Sequence, residues 1–154
     1  MPAPQTTARN RPRVFVDADV LFAGAVSPSE AGASLVILRL AEITLIKALT
    51  SQQVIVEAER NLAAKLPQVL PEFRLLVSRC LEVVSDPVPA DLARYAGAAH
   101  AKDLPILVAA AREGYPWLVT FNTRHYQPGH ASVNVLQPGE FVLQVRDLLT
   151  RLAP

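Results

Sequence analysis

Short apolar runs alternate with longer amphipathic stretches along the chain, and their order sets the first expectation. Val14, Phe15 and Val16 form a compact run of β-branched and aromatic side chains that reads as a buried strand. Residues 20–26 follow as a short helix, closed by Ser27-Pro28-Ser29. Ser29 or Glu30 then opens a helix through about Ala41, with Leu35, Ile37, Leu38 and Ala41 on its apolar face. Residues 43–48 are expected as the second strand. Thr50, with Gln53 three residues on, has the spacing of a capping box. It opens a helix to about Leu66, along which Val54, Ala58, Leu62 and Leu66 recur at helical spacing. Pro67 stops that helix, and residues 71–80 make another. Residues 81–85 are expected as the third strand, ended by Asp86-Pro87. Pro89-Ala90-Asp91 opens a helix to about Ala99, and residues 100–102 connect it to the next. Residues 104–113 make a helix that is apolar on nearly every side and hence deeply buried. Residues 117–121 and 133–136 supply the last two strands, and residues 138–149 a final amphipathic helix. This alternation predicts an α/β three-layer sandwich, a mainly parallel sheet of four to five strands flanked by helices. Residues 13–154 are expected as a single domain behind a flexible tail, residues 1–12.

Composition adds a few constraints. The chain has 154 residues, enough for one sizeable core; 51% are hydrophobic and only 19% charged. That surplus points to an apolar interface with a second copy or a partner, with the helix over residues 35–41 as its source. A homodimer is the expectation. No uncharged apolar run approaches the roughly 20 residues of a membrane span; residues 35–49 come nearest and are broken by Arg39, Glu42 and Lys47. The tail carries prolines and basic residues without an apolar core, so it is not a secretory signal. A single Cys80 excludes an internal disulfide and a thiolate metal cluster, which fits a reducing cytoplasm. A net charge of +1 argues against a strongly basic nucleic-acid coat but permits a local basic rim.

Candidate chemistry begins where the first strand ends, on Asp17 with Asp19 shortly after. A carboxylate at the C-terminal end of such a strand faces the crevice where α/β sheets bind ligands. Taken alone, Asp17 is better explained as a helix cap, and the case for chemistry depends on partners downstream. Glu57 lies at the edge of the inward face of its helix; a solvated Glu supported by Arg60 or Asn61 is the plain alternative. Asp103 is an N-cap candidate with Pro105 in the first turn, yet the helix behind it has almost no polar surface, which places its N-terminus near the middle of the molecule. Asn122 follows a strand end, with Thr120 before it, and reads otherwise as a turn residue. What unites these positions is that each ends an element that a parallel sheet brings to one edge. Oxygen ligands without Cys or a histidine pair select hard cations, Mg²⁺ or Mn²⁺.

Four segments carry a family resemblance: Val14-Phe-Val-Asp-Ala-Asp-Val-Leu21, Ser51…Glu57…Asn61-Leu62, Lys102-Asp103-Leu-Pro-Ile-Leu-Val-Ala-Ala-Ala, and Leu118-Val-Thr-Phe-Asn-Thr-Arg-His-Tyr126. In order and spacing they resemble the PIN-domain family, above all the bacterial toxin components of toxin–antitoxin pairs related to the VapC ribonucleases. The resemblance spans about residues 13–149. It implies a metal-dependent endoribonuclease acting on single-stranded RNA, partnered by an antitoxin protein. By the same resemblance Asp17, Glu57 and Asp103 match the acidic metal-binding cluster, and the family's fourth acidic position falls on Asn122, which offers a carbonyl but no charge. Asp19 stands where many members carry Asn. Thr120 and Asp19 then orient ligands from behind, and Arg124 and His125 either hold the nucleic-acid backbone or belong to an ordinary exposed loop. Most of Arg9, Arg11, Arg13, Arg60, Lys65, Arg74 and Arg79 are expected as solvated surface.

Two other readings stay open. Asp17-Ala-Asp19 also resembles the first motif of haloacid-dehalogenase-like phosphatases, which need a late acidic pair and an activating Lys; here the late strand ends in Phe121-Asn122 and Lys102 sits beside Asp103. A weakly active or inactive domain that binds RNA or a partner is the second. Metal affinity together with RNA cleavage separates it from a nuclease.

Overall fold

The computed structural model describes residues 11–26 and 32–152. The expected tail through residue 10 and the expected helix opening at Ser29 or Glu30 lie outside the described residues. A five-stranded sheet with order β3-β2-β1-β4-β5 forms the middle layer, and every pairing in it is parallel. β1 (Arg13–Val16) is its central strand, with Val14, Phe15 and Val16 fully buried because both faces of the sheet are covered. β2 (Lys47–Ser51) and β4 (Trp117–Val119) flank it, and β3 (Leu81–Val84) and β5 (Asn134–Leu136) form the edges. The helices are α1 (Ala18–Val26), α2 (Ala33–Glu42), α3 (Gln52–Lys65), α4 (Leu70–Cys80), α5 (Pro89–Ala93), α6 (Leu104–Arg112) and α7 (Pro138–Thr150). Phe15, Leu38, Leu62, Phe73, Ile106, Leu107 and Phe141 fill the core between the layers. Among the described residues no helix is long and apolar enough to cross a membrane.

Strand order fixes where a site can form. The chain builds outward from β1 through β2 to β3, then returns to lay β4 on the other side of β1 and β5 beyond it. The connections leaving β1 and β4 therefore diverge, opening a crevice at the C-terminal ends of these two strands. Asp17 leaves one of them and Thr120 the other.

Three expectations are corrected. The second strand is Lys47–Ser51 rather than residues 43–48. Ile43 and Leu45 are exposed, and the chain turns at Thr44, whose φ of 65° lies in the left-handed region. Thr50 and Ser51 belong to β2, where the Thr50 hydroxyl donates to the Val16 carbonyl at 2.9 Å, so the capping box does not form. Instead Asp86, just after β3, accepts the Gln53 N–H at 2.8 Å and caps α3 from across the sheet. Finally, α5 stops at Ala93, well short of Ala99, and the chain then turns through Gly97 at φ 81°. Pro12, at the inner end of the expected tail, accepts the Lys47 N–H at 2.9 Å and prolongs the sheet pairing.

A β-branched residue in the left-handed region costs on the order of 1 kcal/mol or more. Thr44→Gly is expected to stabilise the protein by about 1 kcal/mol in urea denaturation, net of the entropy that glycine adds to the unfolded chain; a clear loss of stability would show that this turn carries no strain.

Candidate active site at the end of the central strand

Asp17 ends β1 inside the protein, 7% exposed. A carboxylate there needs donors, and three elements deliver them. The Ala18 N–H at the start of α1 donates to Oδ1 at 2.7 Å. The Thr120 hydroxyl, just past β4, donates to Oδ2 at 2.9 Å. The Tyr126 hydroxyl, from the 3-10 turn Thr123–Tyr126, donates to the same Oδ2 at 2.8 Å. Burial, and then the neighbouring charge of Asp19, still push the Asp17 carboxyl up to about 6 from 3.8. Burial likewise raises Asp19, and it drives the Tyr126 phenol well above its ordinary range, with Asp17 adding to the shift.

Around Asp17 the other candidates turn the same way. Asp19 Oδ2 accepts the Phe121 N–H at 3.0 Å and the Asn122 side-chain amide at 3.2 Å. Asp103 is the N-cap residue of α6, but its carboxylate makes no capping bond; it lies 3.1 Å from His125 Nδ1. Glu57, midway along α3, lies 3.6 Å from Lys102 Nζ, so its partner is neither Arg60 nor Asn61. Asp17, Asp19, Glu57, His100, Lys102, Asp103, Asn122 and His125 together line one pocket of about 130 Å³. Local roles as caps or turn residues thus leave the side chains of Asp103 and Asn122 unexplained. Arg124 is exposed on the same turn.

Tyr126, Lys102 and His100 are the participants that residue patterns did not single out for this pocket. The only signal for Tyr126 is its place at the end of the fourth resembling segment and that for Lys102 its place at the start of the third; His100 reads simply as part of a connection. A haloacid-dehalogenase-like site would need acids where β4 ends; Thr120, Phe121 and Asn122 stand there.

The donor chemistry of the pocket fits a hard divalent cation: four carboxylates line it, and burial raises two of them, Asp17 and Asp19, above the usual carboxylate range. Among the described residues no three His, Cys, Asp or Glu side chains are gathered closely enough to enclose an ion. Glu57 and Asp103 are drawn instead to Lys102 and His125.

The raised Asp17 carboxyl has a consequence for stability. Its folded value, about 6, exceeds the unfolded 3.8, so the unpenalised protonated state holds below pH 3.8 and is lost as pH rises through 6. Above that, roughly 3 kcal/mol of destabilisation persists without a cation. Asp17→Asn keeps the shape, and the hydroxyls of Thr120 and Tyr126 can rotate to accept from its amide. We expect Asp17→Asn to stabilise the cation-free protein by about 1–3 kcal/mol at pH 7.5 and by almost nothing at pH 3.5, measured by denaturant titration in EDTA. Equal gains at both values would remove the buried charge as the cause.

No protein-family model matches the chain, and no curated protein matches it in sequence. Solved structures do. VapBC2 from Rickettsia felis, bound to a DNA fragment from its promoter, matches with TM-score 0.61 at 16% identity, over 81% of this chain and 98% of that one. PAE2754 from Pyrobaculum aerophilum matches with TM-score 0.62 at 19% identity, over 88% of this chain and 96% of that one. VapC20 from Mycobacterium tuberculosis, described as a toxin that cleaves the Sarcin-Ricin loop, matches with TM-score 0.56 at 15% identity, over 78% of this chain and 98% of that one. The chain therefore has the fold of the VapC-type PIN-domain proteins, as its four resembling segments imply.

Proposed function

We propose that this protein is a Mg²⁺- or Mn²⁺-dependent endoribonuclease, the toxin of a toxin–antitoxin pair, hydrolysing phosphodiester bonds of single-stranded RNA. The observation that carries the reading is the convergence of Asp17, Asp19, Glu57 and Asp103 on one pocket at the divergence of β1 and β4. Likeness to VapC20 supports RNA as the substrate class, and likeness to VapBC2 supports an antitoxin partner.

In this reading Asp17, Glu57 and Asp103 hold the cation. When bound, such a cation neutralises a phosphate oxygen and acidifies a water into the attacking nucleophile. Tyr126 and Thr120 keep Asp17 oriented by fixing Oδ2 from two elements. Asn122 acts through Asp19, donating its amide to Oδ2, so this position contributes orientation in place of charge. Arg124 and His125, on the exposed turn beside the acids, bind the RNA backbone.

The apolar surplus has a place too. Leu35, Ile37, Leu38 and Ala41 of α2 are buried in the protein's own core, whereas Val36 and Leu40 face a surface groove shared with Val142 and Leu149. Beside it, the exposed Leu45, Leu148, Leu149 and Leu152 line a groove of about 290 Å³ over the buried Val145. We assign the homodimer contact to this surface. Leu148→Asp is expected to leave the fold intact and shift sedimentation to the monomer; a parent that is already monomeric at micromolar concentration would refute the assignment.

The function itself is tested on single-stranded RNA with Mn²⁺. Asp103→Asn and Asp17→Asn each remove a charge and little volume, and cleavage should fall at least 100-fold with unchanged circular dichroism. Asn122→Asp should retain or raise it. Full activity in Asp17→Asn would overturn the ligand set, and phosphate release from small phosphomonoesters without RNA cleavage would favour a phosphatase.

A further inference from the structure

The carboxylates of the pocket are not held alike. Asp17 is fixed by three donors from the folded core. Asp19 is fixed by a backbone N–H and a side-chain amide. The Asp103 side chain is 12% exposed and packs against His125. Glu57 differs, because its partner Lys102 has a side chain 69% exposed, at the longer distance of 3.6 Å.

Lys102 has a fixed base and a free arm. Its carbonyl accepts from Gln53 Nε2 at 3.1 Å, which ties it to the start of α3, and its N–H donates to His100 Nδ1 at 3.4 Å. The four-carbon stem beyond is solvated. Of the residues lining the pocket it alone carries a permanent positive charge; the other basic ones, His100 and His125, are imidazoles. An exposed ion pair of this kind contributes between nothing and about 1 kcal/mol. An ammonium is also a compact, adaptable phosphate binder.

We propose that Lys102 couples RNA binding to cation binding: without RNA its ammonium covers Glu57, and an incoming backbone phosphate draws it away, freeing that carboxylate for the divalent ion. This rests on the nuclease reading above. Linkage makes the effect reciprocal, so the cation, by displacing Lys102 from Glu57, strengthens phosphate binding by the same factor. The cation site would then fill a few-fold more readily where substrate is present.

Mn²⁺ affinity, measured by titration calorimetry on the full chain with and without a saturating single-stranded thymidine decamer, tests this independently of turnover; the decamer is checked on a gel to be intact. The parent should bind Mn²⁺ measurably more tightly with the decamer, by up to about five-fold, the ceiling that an exposed ion pair sets. Lys102→Met should bind Mn²⁺ more tightly than the parent without the decamer and gain little from adding it. Lys65→Met, which removes an equal charge at the far end of α3, should behave as the parent. A Lys102→Met protein that keeps the parent's decamer-induced gain would overturn the coupling and leave the nuclease reading standing. A parent that binds Mn²⁺ with no gain from the decamer would do the same. A parent that binds no Mn²⁺ at all would overturn the nuclease reading, and the coupling with it.

Discussion

A carboxylate buried at the end of the central strand is the constraint around which this protein is arranged. Moving such a group out of water costs several kcal/mol unless donors replace the lost hydration. The donors to Asp17 come from the start of α1, the end of β4 and the 3-10 turn beyond it. Satisfying one side chain thus pins together segments that lie 103 and 109 residues from it in sequence. Even so the compensation is partial, which is why the carboxyl stays well above its ordinary value. A fold that optimised only its stability would have placed an apolar or neutral residue here.

Two kinds of partner neutralise the charge around that point. Hydroxyls and amides serve Asp17 and Asp19. Full or potential cations serve Glu57 and Asp103. Burial does not divide them, since Asp103 is as buried as Asp17 and Asp19 is half-buried. The exchangeable contact is the pair of Glu57 with the exposed Lys102, which water screens.

Residue patterns revealed what depends on local periodicity. β1, α3, α6 and α7 follow from apolar spacing within the segment itself, and the acids could be assigned to strand and helix ends on that basis. Where the reading failed, the deciding contact was remote. Ile43, Leu45 and Ile46 have a higher strand propensity than Lys47–Ser51, but pairing with β1 and the bond from Thr50 to Val16, 34 residues back, select the later register. Because Thr50 is thereby held inside β2, Asp86, 33 residues beyond Gln53, caps α3 in its place. Glu57 has suitable helical neighbours in Arg60 and Asn61, yet it pairs with Lys102 across a loop. Lys102, His100 and Tyr126 show no periodicity that assigns them to the pocket, because their partners are set by topology alone.

The two segments that carry the basic side chains are also laced to each other through the backbone. The His100 N–H donates to the His125 carbonyl at 2.7 Å, and the Gly129 N–H to the Ala98 carbonyl at 2.7 Å. Both bonds join backbone atoms, so exposed side chains such as Arg124 can change without breaking them, whereas Gly129, at φ 82°, and Asn122, which holds Asp19, are fixed by what they contact. The same lacing makes residues 97–102 and 122–130 one heritable unit: an attempt to graft target preference from one such protein to another would have to move both segments together, since either alone would arrive with half of its scaffold missing.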